Sequence, residues 1–585
     1  MIAALRQAVR MRRDWLLRRP FWRLVAHFGF RLFSSVGDSG EDGLGLSIGA
    51  ILALLAAPGG FVAILILDKY SSLLNFFRGT RSFDPYTSSL PDQYFFLAFS
   101  MAVTGIVTVL KWDNIFPDRR DYMNLAPLPI ATRQIFLANI IAITLVALIF
   151  AVDVNAASSL VFPMDVTMEQ PRFIFFLQFA GAHFVGVVLS SLFAFFALFA
   201  VIGTLMAVLP DAVFRRISLP VRVLIVILLL SLLGTIVAVP DYLRSIASHP
   251  HSLMRWLPPL WFLGVVRVIL GKAGPELVHL GSIGLRAMAG VLLLAPLAYA
   301  VSYYRYFIRI PETLDTTLRT RAPRKVLPIG SIDRMVLRSS FERATYRFTL
   351  KTLLRNQRHS LLLGAFAGLG LVIAMQTVAS ADGVTVGGPP ATEILSAPFI
   401  LAYFLLSGLR FVFDLPAELR ANWVCQVILD HDKRESIALA RKVMFTFVLP
   451  WLLLAGFPLS VFFWGWALGG GHIAVVTGSC YFLTEVLLRR FRKIPFTCSY
   501  LAWKQNATVM ILLYIFGFWG FCVLLPQMEN ALARRSPLYL WIVAALALPA
   551  TLVLRKLRND EDEEQFLVFE EVTAPPFEVL NISGR

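Results

Sequence analysis

Charge is scarce in this chain: 16% of its 585 residues are Asp, Glu, Lys or Arg, while 57% are hydrophobic. A soluble domain carries about a quarter charged residues and could not hide so much apolar surface, so a soluble globular class is excluded. Cysteine is scarce too. Four in the whole chain build no disulfide framework. Cys480 and Cys522 fall in apolar runs, and Cys425 and Cys498 in polar loops expected to face a reducing cytoplasm. Signatures of chemistry are missing as well. There is no Gly-x-x-x-x-Gly-Lys-(Ser/Thr) phosphate loop, and Gly271-Lys272 and Gly387-Gly388 lack its spacing, so the chain is not expected to hydrolyse ATP itself. Neither His-Glu-x-x-His nor Gly-x-Ser-x-Gly occurs, and no paired carboxylates flank the apolar runs on the expected outer side. No catalytic residue is assigned. His249-Pro-His251 offers two imidazoles without a nearby Cys or carboxylate cluster, which is an incomplete ligand set, and no metal site is assigned.

Long apolar runs are what the chain has in plenty. Twelve are long enough to cross a bilayer, a threshold of about 18 mostly apolar residues. They cover 45–67, 94–110, 135–152, 173–208, 221–239 and 283–304, then 360–380, 395–413, 443–467, 473–488, 507–526 and 537–554. The fourth exceeds what a bilayer needs and should tilt, kink or extend beyond the lipid. The expected fold is an all-α integral membrane protein of about twelve transmembrane helices. They form two six-helix halves, 1–310 and 311–558, followed by an acidic tail, 559–585.

The distribution of charge sets the expected orientation. If the N-terminus is cytoplasmic and the runs alternate, 43 of the 54 Lys and Arg lie in cytoplasmic segments and 10 in external loops. That bias is what the positive-inside rule requires, with both termini in the cytoplasm and the chain multi-pass in the cell (inner) membrane. It also accounts for the net charge of +17 through anionic lipid headgroups, so nucleic acid is not an expected partner and the bilayer is.

Each half opens on a basic amphipathic stretch. In the first, Trp15, Phe21, Trp22, Val25 and Phe28 alternate with Arg18, Arg19 and Arg23. In the second, Arg343, Arg347, Lys351 and Arg355 recur every four residues and share one helical face, with Phe341, Phe348, Leu350 and Leu354 around the rest. Such helices lie in the headgroup plane. Between the second and third run of each half lies a polar cytoplasmic loop. In the first, Asp118 is placed to cap a short helix with Asp121 in its first turn, Pro127 and Pro129 stop it, and Thr132 caps the third run. In the second, Asp414 is placed to cap a helix whose dipole Glu418 complements. Each loop should make a rigid polar knob.

Here the residues carry a family resemblance. The stretch Phe116-Pro-Asp-Arg-Arg-Asp121, Leu125-Ala-Pro-Leu-Pro-Ile130 and Ile135-Phe-Leu-Ala-Asn139 resembles the loop between the second and third helices of type-2 ABC exporter permeases. In that family the loop forms the coupling helix that docks on the ATPase. Leu257-Pro-Pro-Leu-Trp261-Phe-Leu-Gly264 is similar to the Leu-Pro-Pro-x-Trp-Phe segment that family members carry between the fifth and sixth helices, where it forms short external or re-entrant helices. The resemblance covers most of the first half in order and spacing. In the second half it rests on topology, and the loop there departs from the Leu-Pro pattern. It implies a permease subunit of an exporter, with no cofactor on this chain and ATP on a separate cytoplasmic ABC ATPase subunit. The implied coupling residues are Pro117, Asp118, Arg119, Arg120, Asp121, Pro129 and Arg133 in the first half, and Pro416, Glu418, Arg420 and Arg434 in the second. Pro258, Pro259 and Trp261 mark the external re-entrant segment.

The apolar runs hold few ionisable groups. His183 lies mid-run beside Gln178 and is expected to hydrogen-bond a neighbouring helix, and Glu485 is placed to pair with Arg489 one turn on. An ion-driven secondary transporter of lipid or drug-like molecules is the alternative reading, but such transporters need buried acid or His relays and one buried His is thin support. A membrane-embedded enzyme and a structural scaffold are weaker alternatives. Runs rich in Phe, Leu and Gly favour an amphiphilic or apolar cargo. The tail, with Asp560–Glu564 followed by Phe566, Phe569, Glu570, Glu571, Phe577 and Glu578, reads as solvated, with docking on a partner as a minor expectation. One copy would supply a complete pathway, and pairing of two copies as a homodimer stays open.

Overall fold

In a computed structural model the chain is described at residues 20–34, 59–64, 66–67, 69–70, 84–115, 125, 127, 129–168, 173–235, 253–307, 340–381, 388–417, 433–489, 491, 493–497 and 512–561. Among these residues secondary structure is helical throughout, without a strand, and ten helical stretches are long and apolar enough to cross a membrane. Their outward faces carry large apolar side chains while polar ones are buried among them: Leu454 is 79% exposed and Leu293 76%, while Ser100, Ser191 and His183 are fully buried. A water-soluble bundle has the opposite pattern, and an integral membrane protein has this one. The chain divides into two compact units, Met1–Ala322 and Pro323–Arg585.

The first unit begins with α1 (Pro20–Ser34). A capped turn, in which the Asp84 side chain accepts from the Tyr86 N–H, leads into α2 (Leu90–Leu110). Then come α3 (Thr132–Thr167), α4 (Phe173–Val208), α5 (Asp211–Gly234), the short α6 (Pro258–Ile269) and α7 (Pro275–Phe307). At 36 residues each, α3 and α4 are about 54 Å long, well beyond the roughly 30 Å hydrocarbon core. The third crossing was expected to end at 152. It continues to Thr167 because Asn155, Ser158, Ser159 and Asp165 turn into the bundle and cost nothing in lipid contact. Helix α4 is the hub, packing against α2, α3, α6 and α7. The expected first crossing, 45–67, lies largely outside the described residues.

The second unit contains α8 (Ser340–Arg355), α9 (Gln357–Ala379), α10 (Thr392–Phe413), α11 (Lys433–Trp451), α12 (Phe457–Leu487), α13 (Leu525–Ala533) and α14 (Leu538–Glu561). A π-helical turn, Leu452–Gly456, joins α11 to α12, and another, Trp519–Leu524, precedes α13. Again α12 touches α10 and α14.

Helix α12 is not straight. Gly465 has φ +74° and ψ 177°, a conformation open essentially to glycine alone. Ser460 and Gly469 would be about 13 Å apart along a continuous helix. Instead a Cβ on Gly469 would lie 2.4 Å from the Ser460 carbonyl oxygen, and Phe457 stands 5.2 Å from Trp466. The stretch from Ser436 to Leu487 therefore doubles back at Gly465. The link expected at 468–472 belongs to the returning leg, where Gly469, Gly470 and Gly471 allow close packing against Ser460, Trp541 and Leu540.

Candidate functional site

The two polar loops are seen mainly at their ends. Pro117, Asp118, Arg119, Arg120 and Asp121 lie outside the described residues, as do Glu418 and Arg420 and the side chain of Arg434, whose backbone is in the first turn of α11. Around the first loop, Asn139 of α3 donates to the Ile115 carbonyl at 3.4 Å and to the Tyr299 hydroxyl of α7 at 2.5 Å. Leu125 is buried with Ile135, Ala138 and Ala142 of α3 against Leu24, Val25 and Phe28 of α1. The amphipathic helix is thus packed at the foot of α3, where the loop ends. Pro129 is exposed just before α3 and Arg133 is exposed in its first turn. Thr132 was expected to cap α3. Ala131 occupies that position in extended conformation, with no side-chain bond, and Thr132 is the first helical residue.

At the second loop the expected role of Asp414 is reversed. It closes α10 instead of opening a helix, because its carboxylate meets Arg410 one turn back at 2.6 Å and Lys493 at 2.8 Å. Pro416 is half-buried just beyond. Glu485, expected to pair with Arg489, is held by Arg441 of α11 at 2.7 Å and Arg555 of α14 at 2.8 Å. Lys442 of α11 pairs with Glu342, tying α8 to α11. In α8 the face formed by Glu342, Thr345, Tyr346, Thr349, Leu350 and Leu353 is buried and Arg347, Lys351 and Arg355 are exposed, as the four-residue spacing requires; Phe348 and Leu354 are exposed too.

Pro258 and Pro259 occupy the first turn of α6, where missing N–H groups cost nothing. Twelve residues reach about 18 Å, too short to cross the hydrocarbon core. The helix folds back onto α7 so closely that a Cβ on Gly264 would lie 2.4 Å from the Leu277 carbonyl oxygen. Trp261 donates its indole N–H to the Arg255 carbonyl at 2.7 Å and meets Phe193 of α4 edge-on. Arg267 is buried and donates to the Tyr86 carbonyl at 2.6 Å. Burial lowers its pKa to about 10 and the charge of Asp84 opposes that shift, so it stays charged at neutral pH.

Between α2, α3 and α4 runs a buried polar seam. Ser100 bonds Ser191, Thr104 donates to Ser191 at 3.0 Å, and Asn155 donates to it at 3.1 Å. His183 does not make the hydrogen bond expected of it. Both ring nitrogens are buried without a partner, enclosed by Phe96 at 5.6 Å and Phe162 at 5.0 Å. Gln178, its sequence neighbour, is exposed.

The sequence reading missed the counterpart. His472 on α12 is fully buried, stands 6.1 Å from Phe399 of α10, and meets the Glu529 carboxylate at 2.8 Å. Phe96 on α2 faces His183 in the same way. The residues around the two histidines run in parallel. Ala180-Gly-Ala-His183, Val187 and Ser190-Ser191-Leu-Phe193 parallel Gly469-Gly-Gly-His472, Val476 and Ser479-Cys480-Tyr-Phe482. Phe96 and Thr104-Gly105-Ile106 parallel Phe399 and Ser407-Gly408-Leu409 at equal spacing. Aligning the two halves residue by residue would have found both. Glu529 gave no such signal, being 57 residues from its partner.

His249-Pro-His251 and residues 562–585 lie outside the described residues. Among those described, no group of three or more His, Cys, Asp or Glu is placed to hold a metal ion. No protein-family model, curated protein or solved structure matches this chain.

Proposed function

We propose that this chain is the membrane-spanning permease of an ABC-type exporter, two fused six-helix halves worked by a separate cytoplasmic ATPase. The observation that carries the reading is α6: a buried helix, opened by Pro258 and Pro259, that returns against α7 without the length to cross. A short turning helix before the last crossing is what the Leu-Pro-Pro-x-Trp-Phe resemblance implies. Support for two related halves comes from the repeated Phe–His contact between second and fourth crossings, and from an amphipathic helix packed on the third crossing in each unit. The mechanism is alternating access. ATP closes the ATPase dimer, closure displaces the loops at 111–134 and 410–442, and the halves rock to release an amphiphilic or apolar cargo outward or to the lipid. Asp118, Arg119, Arg120, Asp121, Glu418, Arg420 and Arg434 make the contacts, and Pro117, Pro129 and Pro416 hold the loops' shape.

Charge reversal tests this directly. Full-length chain with Arg119→Glu and Arg120→Glu, purified gently from its native membrane, should lose a nucleotide-binding subunit that the unaltered chain retains. Equal retention by both would remove the coupling role of that loop.

One observation favours a second reading. The buried His472–Glu529 pair supplies an acid and an imidazole inside the bundle, the kind of group an ion-driven transporter uses. In that case Glu529→Gln would abolish ion-gradient-dependent transport, and no ATPase would be bound.

A further inference from the structure

The described residues just after α12 are buried: Phe491, Ile494 and Phe496 are each no more than 2% exposed, and Lys493 is 4% exposed. A buried lysine needs a partner, and Lys493 has Asp414 at the end of α10 at 2.8 Å. Its carbonyl accepts from the Ser436 hydroxyl of α11 at 2.7 Å. Phe496 donates its N–H to the Phe413 carbonyl at 3.2 Å and accepts from the Ala417 N–H at 3.0 Å, a two-bond clasp on the chain leaving α10. To make that clasp Phe496 adopts φ +69°, which a bulky residue takes up only when its surroundings hold it there. The ring is fixed by Phe413 at 5.7 Å and His359 of α9 at 4.9 Å, and His359 meets the Leu415 carbonyl through Nε2 at 3.0 Å. Arg410 donates to the Leu487 carbonyl at 3.0 Å, closing the block onto α12.

One short segment therefore binds the outgoing and incoming ends of the second polar loop to the end of α12. The first loop has a different arrangement, in which Asn139 joins Ile115 to Tyr299 of α7. We propose that Lys493 and Phe496 are positioning residues that lock the ends of α10 and α11 to α12, so that a displacement imposed at the second loop moves the His472-bearing helix as a unit. This rests on the reading that a cytoplasmic ATPase works on 410–442. A loop joined to its helices by backbone alone would absorb a push by bending. A buried ion pair, a paired clasp and an aromatic wedge leave it no such freedom.

The test uses the full chain with its co-purified nucleotide-binding subunit. Amide hydrogen exchange of α12 and of residues 433–440 is measured before and after trapping with MgATP and vanadate. Lys493→Met removes the ion pair. Ser436→Ala removes a single bond and guards against a variant that fails to fold. In unaltered protein, trapping should change exchange in both segments. In Lys493→Met the change in α12 should shrink roughly tenfold while that at 433–440 persists, and Ser436→Ala should lie between. Full α12 response in both variants would overturn the proposal. So would an α12 that never responds although the subunit is bound, which leaves the permease reading standing. Recovery of the chain without any nucleotide-binding subunit would overturn both.

Discussion

Glu485 is almost wholly buried and answers two arginines, Arg441 and Arg555, from helices on either side of α12. Removing one member of a buried charge cluster strands the others, typically at about 3–5 kcal/mol. Glu485→Ala should therefore lower the thermal stability of the detergent-solubilised chain sharply, with Glu485→Gln intermediate because an amide oxygen still accepts. Lys69, paired with Asp92 at 2.7 Å, is 46% exposed. Solvent screens that pair, and Lys69→Ala should cost no more than about 1 kcal/mol. A thermal-shift series ranking Lys69→Ala above Glu485→Ala in damage would contradict this account of where the bundle's charges matter. None of these partnerships could be read from sequence. Glu485 lies four residues from Arg489, which makes a local pair the natural expectation, whereas Arg441 and Arg555 reach it from other helices.

Elements tell a different story, because the period and length of apolar runs report directly on helices. Most crossings were legible for that reason, ten crossing-length stretches standing among the described residues where twelve runs are expected. Their ends were not, since α3 continues through Asp153, Asn155 and Asp165, polar residues that read as loop until the bundle gives them an inward face. The return at Gly465 was misplaced for a related reason: three consecutive glycines at 469–471 look like a turn, but their small size serves packing and the single Gly465 makes the reversal. Gly465→Ala should destabilise the chain by about 1–3 kcal/mol, the cost of forcing a side chain into that backbone region. Gly264→Ala should separate α6 from α7 at a similar cost, since the added methyl would meet backbone. Gly290→Ala, in the same α7 but with open space around it, should be neutral or stabilising by up to about 1 kcal/mol. Matched melting curves for these three variants check the close approach of α6, and equal effects of Gly264→Ala and Gly290→Ala would contradict it.

At the scale of the whole molecule, the apolar exterior and polar seam identify a multi-pass membrane protein, and the charge bias supplies the orientation expected of it. In intact cells a membrane-impermeant maleimide added outside should leave Cys425 and Cys498 unlabelled. Cys480 and Cys522 are buried and should react only after denaturation. Labelling of Cys425 from outside would invert the proposed topology and put the coupling loops on the wrong side. On the proposed function, a separate cytoplasmic ATPase works the chain. Native mass spectrometry of the tagged full chain, released gently from its own membrane, reads this most directly. One copy of the chain should carry two nucleotide-binding subunits, one for each proposed half. A stable chain recovered alone or only with itself, without ATPase activity, would contradict it.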